Sequence, residues 1–336
     1  MRAIQLEQFG LHNLAEVDLA VPPRLGPHEV RVRFEAASLN YRDLLAVSGN
    51  FYLPLSLPLI PIADGAGSVL ETGAEVTRFK PGDRITTLFK SLWKGGAARP
   101  EWGERQPGGP DPGVMRDEAV LDEYALVRAP AAYSAVQAAT LPIAALTAWH
   151  ALEQARLTTG QTLLTLGTGG VSLFALQFAK ARGATVIVTS SSEDKLARAK
   201  TLGADVGINY RRDTNWGRSV FEETQGGADV VLEMGGADSL PQSMEAVRQH
   251  GTVALAGFVT GFEAKLPLAH ALLKRVRLLG ISVAPLEQHE RMVKALEAAR
   301  IEPVIDRVFG FRELRAAFEY LQSGRHFGKI AIDFSR

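Results

Sequence analysis

From Glu29 the chain alternates, with Val30, Val32, Phe34 and Ala36 on one face and Arg31, Arg33 and Glu35 on the other, the period of two of a half-buried strand. GAGSVLETG and KPGDRITTLF add strands around a Pro-Gly-Asp turn, and together these segments predict a compact β-rich domain. Near residue 160 the period changes. TLLTL, ATVIVTS, VGIN, ADVVLEMG, GTVALAGF and LLGISVA are short β-branched runs, separated by helical patterns in GVSLFALQFAKA, EDKLARAKTLG and the stretches 213–224 and 239–248. That alternation predicts a parallel, doubly wound sheet. The tail reverts to mixed structure: LEQHERMVKALEAA is helical, VIDRVFGF and KIAIDF are strands, and RELRAAFEYLQSG is a helix between them.

Between the two regimes lies KGGAARPEWGERQPGGPDPGVM, too rich in Gly and Pro to hold a helix or strand. Residues 94–113 are therefore expected to form either a lid over a binding site or a solvated insertion. A length of 336 residues favours two domains, and 46% hydrophobic with 22% charged residues suits a globular chain. Thirty-seven basic and 37 acidic residues cancel, so no basic excess marks a nucleic-acid or anionic-lipid partner; a small-molecule substrate is expected. FYLPLSLPLIPIA is broken by three prolines, and MRAIQLEQFG lacks a secretory pattern, so no membrane partner and a cytoplasmic location are expected. The absence of cysteine excludes disulfides, thiolate nucleophiles and cysteine-ligated metals. None of the histidines at 12, 28, 150, 250, 270, 289 and 326 has ligand spacing to another, so no metal site is expected.

The chemistry begins at LLTLGTGGVSLFALQ. A strand ending in glycines lets backbone approach a pyrophosphate held at a helix N-terminus, and Gly167, Thr168, Gly169, Gly170 and Val171 form such a loop. Ser172 takes the third fingerprint place, where glycine would serve close helix–strand packing. An acidic residue about twenty positions further on would accept the ribose hydroxyls of NAD. Thr189 stands 189 − 167 = 22 positions beyond Gly167, and TSSSEDK offers hydroxyls there instead. Ser190, Ser191 and Lys195, with Tyr210 and Arg211 closing the next strand, suit a 2′-phosphate, so NADP(H) is the expected cofactor. The competing reading makes Ser190 with Glu193, or Ser191 with Asp194, an N-cap pair. Gly235, Ala256, Gly257 and Phe258 end the fourth and fifth strands, where open α/β sheets bind ligands, and are expected to line the nicotinamide ribose.

AASLNYRDLLAVSG, PLIPIADGAGSVLETG, FKPGDRI, LPIAALTAWHAL, LGTGGVSLFALQFAKARGATVIVTSSSEDKLARAKTLGAD, INYRRD, GTVALAGF and SGRHFGKI together resemble the medium-chain dehydrogenase/reductase superfamily over essentially the whole chain. The resemblance implies an α/β protein in which a Rossmann doubly wound parallel sheet is inserted into a GroES-like β-rich catalytic domain. The expected bounds are 1–124 for the N-terminal part of the catalytic domain, 125–285 for the NADP-binding domain and 286–336 for the return to the catalytic domain. Zinc-dependent members place ligands where this chain has Asn40, Ala63 and Ile143, and alanine and isoleucine have no lone pair to give. The resemblance therefore points to the zinc-free branch, similar to quinone oxidoreductases and enone reductases.

Catalytic candidates come from the stretch that replaces the metal ligand. Asn40 is expected to hydrogen-bond the substrate oxygen or the nicotinamide side, Tyr41 to donate a proton or hydrogen bond, and Arg42 to stand behind them, oriented by Asp43. Tyr52, Trp93 and His150 read as packing residues. Arg325 and Lys329 resemble a family position near the cofactor, and LLGISVA resembles the edge strand that pairs across a homodimer. The expected activity is zinc-independent, NADPH-dependent hydride transfer to a quinone or α,β-unsaturated carbonyl. The alternatives are a metal-free alcohol dehydrogenase or carbonyl reductase, and an NADP-binding structural or regulatory protein with little turnover.

Overall fold

The computed structural model describes residues 1–21, 24–103 and 105–336. Strands β1 (Arg2–Leu6) and β2 (Leu14–Asp18) pair as an antiparallel ribbon. They are followed by β3 (Glu29–Ser38), helix α1 (Tyr41–Ser48), β4 (Asp64–Thr72), β5 (Arg84–Thr87), β6 (Glu118–Asp122) and β7 (Leu126–Arg128). The second regime contributes β8 (Thr162–Leu166), β9 (Thr185–Ser190), β10 (Val206–Asn209), β11 (Ala228–Glu233), β12 (Val247–Leu255) and β13 (Arg277–Gly280). After helix Leu286–Ala299 come β14 (Ile305–Gly310), helix Leu314–Gln322 and β15 (Lys329–Asp333).

The first unit comprises Met1–Leu146 and Val283–Arg336. Its sheet runs β14-β15-β3-β4-β5-β7, with β6 also pairing β3. The inward residues of β3, Val30, Val32 and Phe34, are buried with Ile62, Ile85, Leu126, Phe318 and Ile330, so the alternation in sequence does place one face of the strand in the core. The first boundary falls later than the expected 124, after Leu146, because β7 pairs with β5 through Thr87↔Leu126 and Ile85↔Arg128 and keeps that segment in the first unit. The second falls after Ser282 rather than 285. A helical run, Ala135–Ala155, is long and apolar enough to cross a membrane by length and composition, and 67% of its most apolar 18-residue window is buried within the fold.

The second unit, Thr147–Ser282, holds six parallel strands in the order β10-β9-β8-β11-β12-β13. Strand order reverses between β8 and β11, which makes this a doubly wound Rossmann sheet with its ligand crevice at the carboxyl ends of those strands. The loop after β8 and the turns after β9, β11 and β12 all open there. Among the described residues, β13 pairs with β12 and with no strand on its other side.

Helix Leu286–Ala299 buries His289 completely, and neither ring nitrogen has a hydrogen-bond partner. Burial pushes the imidazole from an ordinary 6.5 down to about 3. Between those values the unfolded chain takes up a proton that the folded chain refuses. This contribution is therefore complete above about pH 6.5 and is lost as pH falls toward 3, reaching about 2 kcal/mol by pH 5. Urea unfolding at pH 7 and pH 5 should show His289→Leu losing less stability across that interval than the parent; equal losses would count against the assignment.

Candidate active site

Gly167 adopts φ +76, a left-handed conformation that side chains rarely take, and lets β8 turn sharply into helix Gly170–Ala181. A Cβ built at Gly167 or Gly169 would meet nothing within 4 Å, so the backbone faces open space. Gly169 is the N-cap, and the first helical turn carries no acidic residue, leaving N–H groups and the positive end of the helix for an anion. The residues present thus fit a dinucleotide pyrophosphate. Ser172 performs the packing task of the missing third glycine differently: it is buried, and its hydroxyl donates to the Leu166 carbonyl at 2.7 Å, tying helix to strand. The Gly167 N–H donates to Thr189 Oγ1 at 3.3 Å, fastening the loop, with buried Thr168, to the end of β9.

At that end the competing N-cap reading is corrected. Ser192 caps helix Glu193–Thr201, its hydroxyl accepting the Lys195 N–H at 3.4 Å, so neither Ser190 with Glu193 nor Ser191 with Asp194 forms the cap. Ser190 is buried, its hydroxyl accepting the Ser192 N–H at 3.3 Å, and its carbonyl accepts the Tyr210 N–H at 3.1 Å. Ser190, Ser191, Lys195 and Tyr210 thus share one corner. Of the two acids in the first turn of that helix, Glu193 and Asp194, Glu193 is held by Asn209 at 2.8 Å and Arg212 at 3.0 Å.

The turns after β11 and β12 meet. The Ala256 N–H donates to the Glu233 carbonyl at 2.9 Å and the Thr260 N–H to the Gly235 carbonyl at 2.8 Å. A Cβ at Gly257 would lie 2.2 Å from the Met234 carbonyl oxygen, so the two backbones cross at a distance only glycine permits. The Phe258 ring stacks at 4.8 Å on Phe262. The organising group here was missed in the sequence. Buried Glu233 accepts from the N–H groups of Gly235 at 2.7 Å and Gly236 at 3.0 Å and from the hydroxyls of Ser239 and Ser243. An acid at the end of an apolar strand, followed by MGG and by serines four residues apart, was the available signal.

In the first unit, Ser38 of β3 pairs with Asp64 on β4 and with Ala331 on β15. Asn40, two residues past Ser38, consequently emerges beside the starts of both strands. Its Nδ2 donates to Asp64 Oδ2 at 2.8 Å, and Lys329 Nζ donates to its Oδ1 at 2.7 Å and to the Leu39 carbonyl at 2.7 Å. Lys329 Nζ lies 4.0 Å from Asp64 Oδ2, and both residues are buried. Burial pushes the Asp64 carboxyl up against the charge of Lys329, and pushes Lys329 down against those of Asp64 and Asp43. Asp43 reaches back to the Asn40 backbone N–H at 2.8 Å, which caps α1 without the Asn40 side chain. Tyr41 begins α1 and is exposed.

Arg42, expected behind the reacting groups, is buried and committed to structure. Its Nη1 donates to Asp43 at 2.9 Å and to the carbonyls of Pro107 at 3.0 Å and Gly108 at 3.2 Å, its Nη2 to Gly109 at 2.8 Å, and its guanidinium lies 4.5 Å from the Phe51 ring. This pins the end of the 94–113 loop, where Tyr52 also donates to Gln106 at 2.9 Å and the Gly113 N–H to Ile60 at 2.8 Å. Within that loop, Glu104 lies outside the described residues. Lys329 joins Asn40, whereas Arg325 is exposed and donates to Ser323 at 3.1 Å.

The positions where zinc-dependent members carry ligands do not fit a metal. Ala63 and Ile143 have side chains without a donor atom for a metal; their backbone N–H groups go to Asp43 and Asp64 at 3.3 Å each, and the Ala63 carbonyl accepts the Thr87 hydroxyl at 3.0 Å. Asn40 is bonded on both sides, and among the described residues no three His, Cys, Asp or Glu side chains form a group able to hold an ion.

Residues 26–131 match the alcohol dehydrogenase GroES-like domain family and residues 170–299 the zinc-binding dehydrogenase family. The chain is 40% identical over 335 residues to the zinc-type alcohol dehydrogenase-like protein C1773.06c of Schizosaccharomyces pombe, covering 97% of this chain and 96% of that one. It is 30% identical to the 2-methylene-furan-3-one reductase of Solanum lycopersicum, covering 99% and 79%. A crystal structure from Sinorhizobium meliloti 1021, provisionally called an alcohol dehydrogenase, superposes with a TM-score of 0.93 at 41% identity, covering 99% and 98%. With a Rossmann sheet set into a GroES-like domain and such relatives over nearly its full length, the chain belongs to the medium-chain dehydrogenase/reductase superfamily of NAD(P)-binding oxidoreductases.

Proposed function

We propose that this protein is a zinc-independent, NADPH-dependent oxidoreductase that reduces a quinone or an α,β-unsaturated carbonyl. The observation that carries this reading is the carboxamide of Asn40, standing where zinc-dependent relatives keep a metal ligand, with the aliphatic side chains of Ala63 and Ile143 at the other two ligand positions. A reduced nicotinamide bound to the second unit supplies hydride. Gly167, Thr168, Gly169, Gly170 and Val171 hold its pyrophosphate, and Gly235, Gly257 and Phe258 its ribose end. Without a Lewis acid, an unactivated ketone is a poor acceptor, because its alkoxide concentrates charge on one oxygen. Addition to an enone or quinone yields a delocalised enolate or phenolate, for which one aligned donor provides about 3 kcal/mol. The name of the tomato relative, a 2-methylene-furan-3-one reductase, is consistent with that substrate class.

Stopped-flow NADPH oxidation against quinones, enones, aldehydes and alcohols tests the reading. Turnover confined to simple aldehydes or alcohols would replace it with a metal-free alcohol dehydrogenase or carbonyl reductase. Binding without turnover would make the chain an NADP-binding regulatory or structural protein. Stoichiometric zinc in the active protein would defeat the metal-free mechanism.

The phosphorylated cofactor is supported by Ser190, Ser191, Lys195 and Tyr210 at one corner, where Glu193 of the first helical turn is held by Asn209 and Arg212. Lys195→Glu should weaken NADPH roughly tenfold or more, the value of one charge-assisted contact, while leaving NADH within about twofold. Fluorescence titration of both nucleotides gives the comparison, and equal losses for the two would refute the assignment. A two-fold dimer through β13 is also proposed: the strand has an open edge, and Leu268, Leu272 and Leu273 beside it are 66–75% exposed.

A further inference from the structure

We propose that Lys329 and Asp64 are positioning residues that lock the Asn40 carboxamide in one orientation, so that this chain presents an N–H donor, and no acceptor, to the substrate oxygen. The inference rests on the reading of Asn40 given above. Lys329 Nζ meets Asn40 Oδ1 at 2.7 Å, and the Asp64 oxygen that faces Asn40 Nδ2 at 2.8 Å also accepts the Ile143 N–H at 3.3 Å. An amine that keeps its proton has donors only, and a carboxylate that has lost its own has acceptors only, a state that Asp64, pushed by burial up to about 7, reaches fully above that pH. Turning the amide by 180° would set N–H against amine and oxygen against carboxylate, losing both bonds and creating two repulsions.

Both clamps are themselves immobile. Lys329 is anchored a second time on the Leu39 carbonyl at 2.7 Å, and Asp64 begins β4 opposite Ser38. Asp43 fixes the Asn40 backbone independently at 2.8 Å, so the residue is held at main chain and side chain alike. Among the described residues, one N–H of the half-buried Asn40 side chain is uncommitted, while its oxygen is turned toward the buried amine. The bond from Lys329 also polarises the amide and strengthens its remaining N–H as a donor.

The consequence is selectivity for the oxygen's role. A carbonyl or quinone oxygen only accepts, and it accepts more strongly as negative charge develops on it. An alcohol must hand its proton to an acceptor, and the locked amide offers none. Asp64 and Lys329 therefore favour carbonyl substrates through Asn40, without touching the substrate themselves.

The test is a double-mutant cycle on the full chain, with 1,4-benzoquinone and NADPH as probes and NADPH affinity and thermal midpoint as controls. Lys329→Met should lower kcat about tenfold or more while NADPH affinity stays within about twofold, and in the Asn40→Ala background the same change should cost less than about threefold. Independent, multiplying losses would overturn the positioning role, whereas an unaffected kcat in Asn40→Ala alone would remove the donor reading beneath it. Should Lys329→Met not fold, the unmodified protein still decides. Its Asn40 side-chain amide, identified by the signals missing in the Asn40→Ala spectrum, should show a ¹⁵N relaxation order parameter close to that of rigid backbone, about 0.85. A value below about 0.6 would mean a mobile carboxamide and would end the proposal.

Discussion

Replacing Asn40 with alanine is expected to lower kcat for NADPH-dependent quinone reduction by about 10²–10³, or ~2.7–4 kcal/mol, the range for removing one preorganised donor from a developing oxyanion. The loss should fall on kcat rather than on cofactor affinity, because the glycine loop and the Ser190 corner lie in the second unit while Asn40 belongs to the first. The variant also leaves Lys329 Nζ and Asp64 Oδ2 without one partner each, so a lower thermal midpoint should accompany the kinetic loss. Asn40→Asp separates the two effects. It keeps an oxygen for Lys329 but sets a third carboxyl beside Asp64 and Asp43 and removes the donor, so activity should fall at least as far as in Asn40→Ala. Steady-state kinetics on both variants decide the matter; a drop of less than about threefold in either would mean that another group stabilises the substrate oxygen.

The second large effect belongs to Glu233→Ala. This change would take the acceptor from the N–H groups of Gly235 and Gly236 and the hydroxyl of Ser239 at a half-buried turn, and from the hydroxyl of buried Ser243. The serines can rotate to new acceptors, but the backbone groups cannot, and each buried donor left unpaired costs about 1–3 kcal/mol. A loss of about 3–5 kcal/mol is expected, as for removal of one member of a buried charged network. Glu233→Gln should lose less, since its oxygen can serve the two glycine N–H groups while its amide turns to Ser243, a hydroxyl able to accept. Urea unfolding monitored by circular dichroism reads both, with an Ala loss below about 1 kcal/mol as the contrary result. NADPH affinity should decline with stability, because Gly235 and Gly257 are held together through the Glu233 carbonyl and carboxylate.

Local chemistry explains what could be read along the chain. Helix Leu286–Ala299 coincides with its predicted span, and β3 buries its alternate residues, because a period of 3.6 or 2 is a property of neighbouring positions. The glycine turn from strand to helix was equally legible, since a strand, two glycines and a helix N-terminus are consecutive in the chain.

Other features depended on partners that no local pattern names. Arg42 next to a candidate donor reads as a catalytic cation, yet three carbonyls from Pro107 to Gly109 claim it, and only a returning loop could bring them there. Ser192, rather than either serine before it, became the cap because β9 ends at Ser190 and leaves the next two residues to set the helix entry. Glu233 stood in plain view at the end of a strand, but its four donors are gathered only once the turn after β11 folds back on it.

By itself, then, the order of residues determined the two kinds of layer and the glycine turn after β8, consequences of short-range periodicity and side-chain composition. Tertiary structure alone decided what Asn40 can do. Lys329 lies 289 residues from Asn40, and Asp64 lies 24 residues from it. Antiparallel register sets Ser38 opposite both Asp64 and Ala331, and so brings an acceptor and a donor to the two ends of one amide. Hydrogen-bond direction at a buried side chain is settled by which groups the sheet sets against it, and that information is carried by strand pairing, not by neighbours in sequence.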